Sequence, residues 1–76
     1  MNKARRTALS AALQMLQDAQ SLIQEAAEGE QEGYDNMTEG LQQTERGQRM
    51  EEVASSLDDV QSTLDDLIGQ IEDAME

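Results

Sequence analysis

A chain of 76 residues with 17 acidic and 5 basic side chains carries a net charge of −12, and it contains no His, Cys, Pro, Trp or Phe. That length holds one small domain, near the lower limit for a core that is stable alone. The missing residue types exclude disulfide staples, a thiol nucleophile and an imidazole base, so ordinary acid–base or covalent catalysis lacks its agents.

The chain starts MNKARRTALSAALQML, with Lys3, Arg5 and Arg6 ahead of an apolar run, as a secretory leader would. Gln14, Gln17 and Asp18 break that run and its large residues recur at helical spacing, so it is read as a helix instead. Leu9, Leu16 and Ile23 lie seven apart, with Ala12, Ala19 and Ala26 in the matching d-type positions. Leu13, Met15 and Leu22 widen the apolar face. The pattern predicts a first helix over about 3–32, whose alanines let a partner backbone come close.

A connector over about 33–44 is punctuated by Gly33 and Gly40, with Asn36-Met37-Thr38 as a turn and Thr38 placed to cap a short helical turn. Thr44 is then a natural N-cap for a second helix over about 45–75. Met50, Val53, Leu57, Val60, Leu64, Leu67, Ile71 and Ala74 alternate by three and four, an a/d heptad seam. Gly47 and Gly69 each weaken that helix by about 1 kcal/mol relative to alanine.

Two helices of similar length and a short connector predict an all-α fold, an antiparallel two-helix coiled-coil hairpin in a single domain. In that alignment Lys3, Arg5 and Arg6 fall beside Glu72, Asp73 and Glu76, and Arg46 and Arg49 fall near Glu25, Glu28, Glu30 and Glu32. Met15, Leu22 and Ile68 lie off the seam, which leads to the expectation of a homodimer, a four-helix bundle. No run approaches the roughly 18 apolar residues of a membrane span, so no membrane partner is expected.

The second helix repeats itself. Leu57-Asp58-Asp59-Val60, Leu64-Asp65-Asp66-Leu67 and Ile71-Glu72-Asp73-Ala74 set an acidic pair beside the seam every seventh residue, and no Lys or Arg follows Arg49. A helix made only for solubility would mix signs for i, i+4 support. A row of carboxylates costs stability by like-charge repulsion, and a basic groove built for nucleic acid is the surface that would use it. Catalytic, cofactor and metal sites are not expected, since the pairs face water and no calcium-binding loop is present.

MNKARR at the start, YDNMTEGLQQTERG in the middle and the acidic heptads at the end resemble small uncharacterised proteins of phages and mobile elements of Firmicutes. Those proteins are expected to carry a proline where Thr38 stands here, followed by a segment like Glu39-Gly40-Leu41-Gln42. The resemblance brings no activity. It implies a bacterial cytoplasmic setting in which small acidic proteins inhibit host defences, as anti-CRISPR proteins do. The expected function is therefore a non-enzymatic inhibitor that mimics nucleic acid and binds a nucleic-acid-handling enzyme, not nucleic acid itself. Its contact residues would be Asp58, Asp59, Asp65, Asp66, Glu72 and Asp73, with Tyr34 and Asp35 at the connector. The alternative is a structural or adaptor coiled coil that self-associates, its acidic face serving only solubility.

Overall fold

The computed structural model describes residues 1–76 and is all-helical, with α1 at Lys3–Asp35, α2 at Glu39–Gln42 and α3 at Glu45–Met75. Each helix starts on a side chain that accepts an otherwise unpaired backbone N–H. Asn2 Oδ1 accepts from the Arg5 N–H at 2.8 Å, Thr38 Oγ1 from Leu41 at 3.4 Å and Thr44 Oγ1 from Gly47 at 3.2 Å. The Thr44 hydroxyl also donates to the Leu41 carbonyl, so one side chain closes α2 and opens α3.

The two long helices pack along each other in opposite directions. At one end Arg6 donates to the Met75 carbonyl, near the middle Gln20 donates to Asp65, and near the connector Gly33 abuts the Met50 side chain. The molecule measures 58 × 15 × 14 Å, so it is one helix pair thick. Such a body hides little: only Ala27, Gly47, Ala54 and Ile68 are buried.

The packed face of α3 differs from the a/d seam that the spacing predicts. Met50, Val53, Leu57, Leu64 and Ile71 are half-buried as expected, but Ala54, Gln61, Ile68 and Met75, the next residues round the helix, are packed as well. Val60 and Leu67 are left 42% and 44% exposed and Ala74 is exposed. On α1 Ala27 is buried and Ala26 exposed, while Ala12 and Ala19 stay half-buried as expected. Leu13 and Tyr34, larger than Ala12 and Gly33 beside them, are half-buried on the same flank of α1 as Ala27, and the apolar area they remove from water favours this seating. Ile68, expected off the seam, is therefore a core residue at 7% exposure.

The expected cross-helix ion pairs do not form. Arg49 pairs with Glu52 on its own helix at 3.5 Å, both side chains well exposed, and such a pair contributes at most about 1 kcal/mol. Arg6 instead meets the last turn of α3, where free carbonyls and the helix dipole favour a cation. No helix is long and apolar enough to cross a membrane.

Candidate protein-binding face

Asp58, Asp65 and Glu72 lie seven residues apart on α3, which places them in one file with about 10 Å between neighbours. Asp59, Asp66 and Asp73 form a second file one residue on, rotated about 100° further from α1. All six side chains are exposed, and no cation stands within ion-pairing distance of any of them. Two are steadied by amides: Asp58 accepts from Gln61 at 3.3 Å, and Asp65 accepts from Gln20 on the other helix. The row thus faces water with its charge uncompensated. Its carboxylates do not converge either, and no group of three or more is placed to hold a metal ion.

The first file extends further than the three repeats suggest. Glu51 stands seven residues before Asp58 and is exposed on the same side of α3. Its segment, Met50-Glu51-Glu52-Val53, is a fourth copy of the same pattern, with Glu in place of Asp. The apolar–acid–acid–apolar spacing is the signal, and Arg46 and Arg49 just ahead of it set this copy apart from the three that follow.

Tyr34 and Asp35 sit at the connector end and belong to α1, not to the row. Tyr34 is half-buried against α3, and its carbonyl accepts from Gln42 Nε2 at 2.9 Å, which ties α2 back onto α1. The Glu51 carboxylate, as a hydrogen-bond acceptor beside the phenol, raises the Tyr34 pKa above its usual value; partial desolvation and the charges of Glu51 and Asp35 add to this. Glu51, at the head of the acidic file, thus lies near enough to the phenol for its charge to be felt there. Asp35 is exposed and accepts from Gln31 at 2.9 Å, on the outer side of α1 and away from the six α3 carboxylates. The structure places Tyr34 at the near end of the row and leaves Asp35 apart from it.

The indentations of the surface are shallow and polar. One runs along the groove between the helices past Gln24, Gln31, Asp58 and Gln61, floored by Ala27 and Ala54. The other lies on α3 alone, among Gln48, Arg49, Glu51, Glu52, Ser55 and Ser56. Neither has the enclosed apolar walls that hold a small molecule. What the site offers is an elongated anionic surface whose six carboxylates have no cation within ion-pairing distance. Comparison with protein-family models, with curated proteins and with solved structures gives no match for this chain.

Proposed function

We propose that this chain is a non-enzymatic protein-binding helical hairpin of coiled-coil type, whose acidic side docks on a basic surface built to hold nucleic acid. The observation that carries the reading is the file Glu51, Asp58, Asp65 and Glu72 with Asp59, Asp66 and Asp73 beside it, exposed and without cations. Like charges this close repel one another, and a target rich in Lys and Arg relieves that repulsion on binding. The file spacing of about 10 Å exceeds the phosphate step of a nucleic-acid strand, so the imitation is of charge and rod shape and not of register.

The setting follows from the connector's likeness to phage and mobile-element proteins: an inhibitor of a host defence enzyme that handles nucleic acid, acting in the bacterial cytoplasm. Direct nucleic-acid binding is disfavoured by the net charge of −12, which repels phosphate. Tyr34, at the head of the row, supplies the aromatic anchor that such interfaces favour.

The test is capture of host proteins on the tagged chain at low and high salt, followed by competition with nucleic acid. The expected result is one nucleic-acid-handling enzyme, held at low salt, released at high salt and displaced by its own nucleic-acid substrate. Changing Asp58, Asp59, Asp65 and Asp66 to Asn should abolish the capture without loss of helix. A partner held equally at both salts, or kept by the quadruple variant, would reduce the acidic row to a solubilising surface.

A further inference from the structure

The side of the molecule opposite the acidic file carries no charge along most of its length. On α1, alternate steps of four and three from Ala8 to Gly29 land only on Ala, Met, Leu and Gly. On α3, the matching steps from Val53 to Ala74 land only on Val, Ser, Thr, Leu, Gln and Ala. Met15 and Leu22 stand out on the first stripe at 70% and 67% exposed, and Val60 and Leu67 on the second. Each of these four precedes a packed residue by one position, so each is rotated about 100° in the same sense from it. Because the helices run in opposite directions, that shared sense carries all four to the same side of the pair.

Their heights along the axis match as well. Gln20 bonds Asp65 and Arg6 bonds Met75, which sets Met15 level with Leu67 and Leu22 level with Val60. The face therefore presents two rungs of large side chains about 10 Å apart, separated by small residues such as Ala19 and Thr63. A two-fold axis passing between the rungs sets the Met15–Leu67 rung of one copy on the Leu22–Val60 rung of the other. The pattern is self-complementary, as an isologous interface requires.

We propose that a second copy of this chain covers that face, giving a four-helix bundle with Met15, Leu22, Val60 and Leu67 in its core and an acidic file on each outer side. Charge selects this occupant. Two copies each carrying −12 can approach closely only where neither presents carboxylates, and this is that face. A basic partner is drawn to the opposite side. Need points the same way: alone, the pair buries three apolar residues, and no side chain falls below 2% exposure. The inference stands independently of the proposed target.

Sedimentation equilibrium over micromolar to millimolar concentrations tests it, and the expected mass is twice the chain's 8.4 kDa. Salt should tighten this self-association by screening two like-charged copies, whereas it loosens capture by a basic target, so the two proposals fail separately. Leu22→Glu and Leu67→Glu should each weaken the dimer at least tenfold, while Ser62→Glu, which adds the same charge on the outer side, should leave it intact. Should either Glu variant lose its helical circular dichroism, Leu22→Ala and Leu67→Ala take its place, with the same weakening expected. A single-chain mass at every concentration, or a dimer indifferent to both leucine positions, overturns the proposal.

Discussion

The two ends of the helix pair are held together by different means. At the connector end the buried residues are small: Ala27, Gly47 and Ala54 bring backbones together, and Thr44 and Gln42 stitch α2 to its neighbours. At the open end the buried residue is Ile68, with half-buried Leu9, Leu13, Ile71 and Met75 around it, and there the helices are joined by side-chain area. The contrast teaches that a thin helical pair can gain cohesion either from close backbone approach or from large side chains. The two ends should answer differently to the same substitution.

Gly47 gives the sharpest break. A Cβ added there would lie 2.5 Å from the Leu41 carbonyl oxygen and 2.6 Å from that of Gln42, both backbone atoms tied into α2. Gly47→Ala should therefore lower stability by about 2 to 3 kcal/mol, outweighing the helix-propensity gain of about 1 kcal/mol. For so small a chain this is a large share of the whole, and the urea midpoint should fall accordingly. An unchanged midpoint would show that α2 moves away at no cost and that the connector end is not closely packed.

Ile68→Ala is the matching break at the open end. A buried isoleucine in a core of ordinary depth loses about 2 to 5 kcal/mol on truncation. Here a single neighbouring helix packs over it, so the expected loss is about 2 kcal/mol in the same urea titration. Val60→Ala, on the exposed stripe of the same helix, should cost well under half of that at concentrations where the chain is a monomer. Equal costs at the two positions would restore the a/d seam and remove the rotation described above.

Much of this was legible in the chain itself. The helix starts at Thr38 and Thr44 follow from hydroxyl side chains ahead of acidic first turns, and Met50, Leu57, Leu64 and Ile71 follow from their spacing. The choice of flank was not legible, because α3 offers apolar residues on both sides of that file. It depends on how the facing helix, some forty residues away, seats its own two flanks against α3. The steric need for Gly47 was hidden for a similar reason: nothing local shows that the Leu41 and Gln42 carbonyls come within reach of it. The expected ion pairs failed because long exposed side chains gain too little from pairing to fix one geometry. Of the site, the acidic row was plain in the repeats, while its fourth member, Glu51, stands two residues after Arg49 and so at the edge of the stretch that carries no cation.

Gly69→Ala reverses the sign seen at Gly47. No atom lies within 4 Å of the added Cβ, and the residue sits inside a regular helix at the open end. The change should stabilise by about 0.5 to 1 kcal/mol through helix propensity and a less flexible unfolded chain. Two glycines of one helix, given the same methyl group, should thus move the urea midpoint in opposite directions. Destabilisation at Gly69 would mean that both ends depend on close backbone approach, and the contrast between them would collapse.

The smallest effect is spectroscopic. Tyr34 is the sole aromatic residue, so the ultraviolet absorbance of its phenolate titrates one group at the connector end. The Glu51 carboxylate beside the phenol favours its neutral form, and the midpoint should lie above 10.0. A pKa raised in the folded state contributes stability that is fully present below the unfolded value and is lost as pH rises through the folded one. The contact therefore supports the connector end across the neutral range and fades only in strong alkali. Glu51→Gln should bring the midpoint back toward 10.0, with partial desolvation and the charge of Asp35 leaving a residue of the shift. The same substitution at Glu72, at the far end of the file, should leave the midpoint where it is. If Glu51→Gln has no effect, Tyr34 does not touch the head of the acidic row, and the row begins at Asp58 instead.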